Sequence, residues 1–318
     1  MFDGSAEPRF VILLYHGVTQ ARHRGIENCS GKHLPKEEFR QQMDRLSTEY
    51  TVLPLRELAA RKGHGTLPPH SVAVTFDDGF ENNFSVAFPI LKQFGIPATF
   101  FLSTGFIGTG RLFWVDRLEY LLNETSRGQV EVAAFQETFP LHTLQEKRTA
   151  LKAIKRRLKE EMHLIEATLE GLSRECAVAS QDYYEDYRTL TWEQVRQMHR
   201  SGLCDFGVHT VDHAILSRLP SAEKEFQIRA AKKNLEEVLG EEVDSFSYPE
   251  GLTQHFDRDT MERVKKAGFR NATTAIFGVN TAQTDDYLLN RNMVGMPYSF
   301  QECLGPLFCE RETAGSSQ

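Results

Sequence analysis

Residues Ser71-Val-Ala-Val-Thr-Phe-Asp-Asp-Gly79 decide the fold. Six uncharged residues, half of them β-branched, run directly into two acids and a glycine. They read as a strand buried on both faces and ended by a turn. Strands of that kind belong to parallel sheets covered by helices, and the flanking sequence carries the matching alternation. Upstream, Phe10-Val-Ile-Leu-Leu-Tyr15 is a second such strand. A helix opens at Pro35 with Phe39, Met43 and Leu46 on one face, and Thr51 to Leu53 is a short strand. Downstream come a helix from Val86 to Phe94, stopped by Gly95-Ile96-Pro97, and a strand from Ala98 to Leu102. Thr191 and Gln194 form a capping box for a helix from Trp192 to His199. Strands at Leu203 to Val208, Ser245 to Tyr248 and Asn271 to Ala275 alternate with helices at Phe226 to Leu239 and Arg258 to Ala267. Repeated βα units predict an α/β protein built on a mostly parallel sheet or barrel.

From about Arg111 to Arg188 that rhythm stops, and no strand is predicted. Leu144, Leu151, Ile154, Leu158, Met162, Ile165, Leu169 and Leu172 recur at helical spacing and predict one long amphipathic helix. Its outer residues Lys152, Lys155, Arg156, Arg157 and Lys159 could touch an anionic surface, but Glu160, Glu161, Glu166 and Glu170 follow at once, the pattern of a solvated face. Because strands resume afterwards, residues 1–318 read as one domain with a helical insertion at about 111–188, ending in the polar tail Glu310 to Gln318.

With 37 basic against 44 acidic residues, the net charge of −7 lacks the basic excess of a nucleic-acid binder. An apolar fraction of 40% excludes a disordered chain. Cys29, Cys176, Cys204, Cys303 and Cys309 are scattered, without a Cys-x-x-Cys pair, which argues for reduced thiols. The run Phe10 to Tyr15 is too short for a leader or a membrane span, so a cytoplasmic chain with no transmembrane segment is expected. Nothing in the pattern sets the oligomeric state.

Three candidate sites fall at strand ends, where parallel α/β folds place their chemistry. The first is Asp77-Asp78-Gly79. Adjacent carboxylates repel, so two ionised ones need a cation or a solvated turn, and Asp-Asp-Gly is also ordinary turn chemistry. The second is His209-Thr-Val-Asp-His213. On a helical turn, residues four apart share a face and can offer two imidazoles to one metal ion; two surface histidines are the alternative. With an Asp added, that ligand set suits zinc or another borderline divalent ion. The third, Phe246-Ser-Tyr-Pro-Glu-Gly251, is either a plain turn or one that aims a backbone N–H at a developing oxyanion.

Together these segments resemble the polysaccharide deacetylases, the NodB-homology or carbohydrate esterase family four, over most of the chain. The family's T-F-D-D-G motif is complete at Thr75 to Gly79 and its H-[ST]-x-x-H motif at His209 to His213, in the family's order. Gly95-Ile-Pro-Ala-Thr-Phe-Phe101 and Leu190-Thr-Trp-Glu-Gln194 match its flanks. The resemblance implies a distorted (β/α) barrel of the NodB-homology type and a hydrolase that removes an N-acetyl or other acyl group from a carbohydrate substrate, an amino-sugar polysaccharide or its precursor. It implies one divalent metal, Zn2+ first with Co2+ or Ni2+ as alternatives, held by Asp78, His209 and His213, and Asp77 as general base. Tyr248, Pro249 and Glu250 then stand on the substrate side, with a backbone N–H near Glu250 for the oxyanion.

The sequence also departs from that family. Its third motif normally begins with an arginine that orients the base, and Ser247 stands there instead; Arg291, within Leu288 to Val294, is the candidate replacement. The family's late L-x-H motif supplies the general acid, yet no histidine follows His255. His16, at the end of the first strand, is the favoured substitute and His255 the other. Trp114 and Asp116, where the insertion begins, are candidates for the substrate wall, although a core tryptophan fits the pattern as well. Alternatives are a deformylase or other amide hydrolase on a lipid-linked or small substrate, or an inactive carbohydrate-binding protein of the same fold.

Overall fold

The computed structural model describes residues 8–178, 184–295 and 297–307. Six parallel strands, β1 (Arg9–Tyr15), β2 (Ser71–Phe76), β3 (Ala98–Leu102), β4 (Cys204–Val208), β5 (Ser245–Ser247) and β6 (Asn271–Thr273), lie side by side in sequence order. This is the order that successive crossover connections of one hand produce. Alternate residues of β1 feed different clusters, Val11 and Leu13 one and Phe10 and Ile12 another, so both faces of the strand are covered.

The outer edge of β1 receives two short strands: Asn280–Thr281, antiparallel beside Arg9 and Phe10, and Asn292–Met293, parallel beside Leu13 and Leu14. Just before the latter, Leu289 bridges Thr273 of β6. The segment 289–293 therefore joins the two ends of the curled sheet and closes it into a distorted (β/α) barrel. Arg291 rides on that closing segment, between the first strand and the last.

Helices Lys36–Glu49, Trp192–Arg200 and Arg258–Lys266 lie where the periodicity puts them, and the capping box at Thr191 and Gln194 is formed on both sides. Leu55–Lys62 is an additional helix, too short for its pattern to stand out. The segment from Val86 is a π turn, Asn83–Ala87, continuing as the α-helix Phe88–Phe94. Pro89 has no N–H to donate back, and the widened turn lies just before it.

The region 111–188 differs from expectation in two ways. It contains a β-hairpin, Gln129–Val132 against Glu137–Pro140, whose strands are only four residues each. The long helix is also two helices, Leu144–Glu160 and Ile165–Cys176, separated by the 3-10 turn Met162–Leu164. A single helix from Leu144 to Cys176 would extend about 50 Å and leave half its apolar stripe in water. Folding back lets Leu151, Ile154, Leu158, Leu169 and Leu172 bury in one cluster with Leu118 and Leu122 of helix Trp114–Glu124. Cys29, Cys176, Cys204 and Cys303 are free thiols. No helix among the described residues is long and apolar enough to cross a membrane. Cys309 and the tail Glu310 to Gln318 lie outside the described residues.

Candidate active site

The two adjacent acids at the end of β2 have opposite environments. The Asp77 N–H still donates to Tyr15 O of β1, at 3.0 Å. Asp78 then turns into the left-handed region with φ 75°, an uncommon conformation for a residue with a Cβ. Gly79 follows at φ 83°, where a Cβ would meet Leu102 at 2.8 Å and Ile107 at 2.9 Å. Asp77 receives a bidentate pair from Arg291, whose two terminal nitrogens donate to Oδ1 and Oδ2 at 2.7 and 2.6 Å. Burial alone would raise the Asp77 carboxyl, but the Arg291 guanidinium, with His209 behind it, holds it well below the usual carboxylate range. Asp78 Oδ1, by contrast, is buried with no hydrogen-bond partner. It lies 3.7 Å from His209 Nε2 and 3.4 Å from His213 Nε2.

The histidines do not share a helical turn. The chain leaves β4 through an irregular loop with φ 67° at Thr210 and φ 53° at His213. Thr104 and Gly105 donate their N–H groups to Thr210 O and Val211 O, and Gln227 Oε1 accepts from the N–H groups of Val211 and Asp212. These bonds fix the loop and bring the two rings to 4.9 Å. His209 Nδ1 lies 2.8 Å from Ser247 O, an acceptor only, so this nitrogen carries the proton and Nε2 keeps its lone pair facing Asp78. Burial lowers the His209 pKa to about 4, against the pull of Asp77 and with the push of His213. An unpartnered carboxylate oxygen and two imidazoles have their ligand atoms within 4.8 Å of one another. That donor set fits a borderline divalent ion such as zinc.

Arg291 is 1% exposed and its remaining donors go to Thr274 O at 2.7 Å, Ser247 Oγ at 2.8 Å and Thr75 Oγ1 at 3.4 Å. Ser247 leaves room for a guanidinium arriving from the closing segment instead of from β5. Asp77, Asp78, His209, His213, Arg291, His16 and Glu250 all line one cavity of about 230 Å3. Burial lowers the His16 pKa, with Asp78 and Asp77 opposing.

Other expected residues lie elsewhere. Tyr248 is 1% exposed, stacked on Phe256 and donating its hydroxyl to Tyr287 O, because it follows β5 on the face that packs into the core. Pro249 is buried and absent from the cavity wall. Trp114 packs against the insertion's apolar cluster and lines a separate cleft that also touches His213, rather than the cavity itself. His255 accepts from the Leu252 N–H at 3.2 Å in an outer cleft.

The insertion contributes to the cavity instead. Asp116 lines it, ion-paired with Lys32. Burial pushes the Asp116 carboxyl up to about 6 although Lys32 pulls it down. Lys155 and Lys159 reach the wall from helix Leu144–Glu160, and Lys159 Nζ meets Glu250 Oε2 at 2.5 Å. Burial would raise the Glu250 pKa, but Lys159 and then His213 bring it to about 2. Sequence reasoning missed Lys32 and had no signal for it. It did register Lys155 and Lys159, as a solvated face.

A family model described as polysaccharide deacetylase matches residues 64–272. The chain is 21% identical to the Bacillus subtilis protein YxkH over 282 residues, 88% of this chain and 69% of that one. A local match, 39% identical over 86 residues, joins it to the poly-β-1,6-N-acetyl-D-glucosamine N-deacetylase of Staphylococcus epidermidis and spans 27% of this chain and 30% of that enzyme. In fold it is similar to the Streptococcus pyogenes deacetylase PplD solved with acetate, at TM-score 0.62 and 19% identity over 95% of this chain and 99% of the other. IcaB from Ammonifex degensii gives TM-score 0.62 and 22% identity over 95% and 98%.

Proposed function

The chain belongs to the polysaccharide deacetylase family, hydrolases of an amide bond, and from that premise we propose that it is a metal-dependent N-deacetylase of an amino-sugar glycan or its precursor. The observation that carries this reading is the division of labour between neighbouring acids: Asp77 is held ionised by Arg291, and Asp78 turns an unpartnered oxygen towards two imidazoles.

Asp78, His209 and His213 would hold the ion, which when bound supplies Lewis acidity towards the acetamide carbonyl and an acidified water. Asp77 is the general base. Its carboxylate accepts a proton from the attacking water while the new C–O bond forms. Arg291 fixes that carboxylate in one orientation, with Ser247 and Thr274 in turn fixing the guanidinium. Negative charge gathers on the former carbonyl oxygen, and the Glu250 N–H is the proposed donor to it. When the C–N bond breaks, the amine nitrogen takes up a proton and acetate leaves. His16 is the proposed carrier. Its pKa lowered by burial, it takes over the proton that Asp77 has accepted from water and gives it to the amine nitrogen, which restores the Asp77 carboxylate.

The test is acetate release from N-acetylglucosamine oligomers by zinc-loaded protein, beside an Asp77→Asn variant. Release that disappears in the variant is the expected result. No release from the wild type, with one zinc bound per chain, would turn the reading towards another acyl group or a binding protein.

A further inference from the structure

Beside the catalytic cavity lies a larger cleft of about 600 Å3. Helix Leu144–Glu160 forms one wall, carrying Arg148, Lys152, Lys155, Arg156 and Lys159, and Arg218 stands on another part of the lining. The five helix cations follow steps of four, three, one and three, which keeps them on one side of an α-helix. Arg157 is turned away, ion-paired with Glu137 and lying over Phe135. Leu151, Lys155, Lys159 and Glu250 line both cavity and cleft, so the two adjoin along that wall.

The charges in the cleft are not balanced by the described residues. Six cations face two carboxylates, Glu160 and Glu250. Only Lys159 is paired, with Glu250. Arg148, Lys152, Lys155, Arg156 and Arg218 make no side-chain hydrogen bond or ion pair to a described residue. Lys155 is half-buried between cavity and cleft, and its pKa is lowered by burial and by the neighbouring Lys159. Unmatched cations gathered in a concave wall repel one another and raise the local concentration of anions. In a chain whose net charge is −7, this is a local reversal of sign.

We propose that this cleft receives an anionic group, a phosphate or a carboxylate, carried by the glycan next to the sugar whose acetamide enters the cavity, so that the enzyme selects charged over neutral glycans. The proposal rests on the deacetylase reading for the position of the acetamide. Complementarity of charge commits the cleft to an anion, and continuity with the cavity commits it to the substrate. Arg148, Lys152 and Arg156 are exposed, as a solvated face requires, whereas Lys155 and Lys159 are partly buried, and all five line the cleft.

Three oligomers decide it: a neutral N-acetylglucosamine tetramer, the same tetramer bearing a 6-phosphate, and a hyaluronan tetrasaccharide, in which glucuronate neighbours N-acetylglucosamine. Each is assayed for acetate release and titrated by calorimetry with the zinc-loaded wild type and with an Arg148→Glu/Lys152→Glu/Arg156→Glu variant. All three positions are exposed and outside the catalytic cavity. For at least one charged oligomer, wild-type kcat/KM should exceed the neutral value at least tenfold (about 1.4 kcal/mol), and the preferred arm identifies phosphate or carboxylate. The preference should shrink in about 0.5 M salt, where screening acts within a few ångströms. It should vanish in the variant while the neutral tetramer is turned over within twofold of wild type. Equal kcat/KM and equal affinity for all three oligomers in the wild type would overturn the inference and leave the deacetylase reading intact. Charge-dependent binding without acetate release from any oligomer would do the opposite. A wild-type preference that survives in a folded variant would also overturn it, because the selected anion would then be held elsewhere.

Discussion

Arg291→Ala removes the cation that the barrel's closing segment delivers to Asp77. In the wild type the guanidinium donates to both Asp77 oxygens, to Ser247 Oγ and to Thr274 O, all inside a region where Asp77 is 3% and Arg291 1% exposed. Without it, the buried carboxylate keeps, among the described residues, a hydroxyl at 3.4 Å, Ser247 Oγ, and the His209 ring at 3.8 Å. Breaking a buried pair from one side costs about 3–5 kcal/mol, most of it the unpaired charge that remains. In a chain of this size that lowers Tm by on the order of 10 °C. The sign with pH follows from the depressed Asp77 pKa. The pair's contribution is present above the ordinary aspartate range and is lost as the pH falls through it towards the lower folded value, so wild type and variant should converge below about pH 4. Denaturant unfolding at pH 7 and at a series of values below about pH 4 measures this. An Asp77→Asn/Arg291→Met double variant should lose at least about 2 kcal/mol less than the two single changes summed, as coupled partners do. A loss under about 1 kcal/mol at pH 7, or strict additivity, would refute the idea that Arg291 is what keeps Asp77 ionised. Full activity in Arg291→Ala would separately remove it from the catalytic arrangement.

Replacing His16 by Ala should lower kcat by about 100-fold if it carries the proton to the leaving amine; unchanged turnover takes it out of the mechanism. Zinc at about 100 times its Kd should stabilise the wild type by about 2.7 kcal/mol, and Asp78→Ala or His213→Ala should abolish that gain in a thermal melt. An undiminished zinc shift in both variants would move the ion elsewhere. Glu250, brought from 4.5 to about 2 beside Lys159, contributes stability above the normal glutamate range and loses it as the pH falls from about 4 towards 2. With both side chains about a quarter exposed, the contribution is on the order of 2 kcal/mol after allowing for solvent screening. The stability gap between wild type and Glu250→Gln should therefore close over that range, and a gap that stays constant with pH would show that the pair contributes little.

What could be read from sequence was set by how local the determining interactions are. The parallel strands were legible because each is a short apolar run whose burial on both faces is written in its own residues, as in Ser71–Phe76. The helix at Trp192–Arg200 was legible because its capping box is a three-residue relation. The four residues around the candidate ion were legible for the same reason, lying in two contiguous motifs. The reason given for the second motif was nevertheless wrong: His209 and His213 converge through a loop with left-handed residues at Thr210 and His213, not through a helical turn. Arg291 could be named only as a candidate. Its contact with Asp77 spans 214 positions and depends on closure of the sheet by residues 289–293, a relation no local pattern encodes. Tyr248 turns into the core and Trp114 lines a neighbouring cleft instead of the cavity, since an aromatic at a strand end or helix start can face either way and the sequence does not say which. The insertion shows the cost most clearly. Its apolar stripe gave the helix, but the break at Met162–Leu164 and the direction of the opposite face depend on packing against Trp114–Glu124. Lys155 and Lys159 thus look like solvated charges until the fold turns them towards Glu250 and the cavity. The motifs that carry the family resemblance are local, whereas the insertion's cations take their place beside the cavity only through long-range packing.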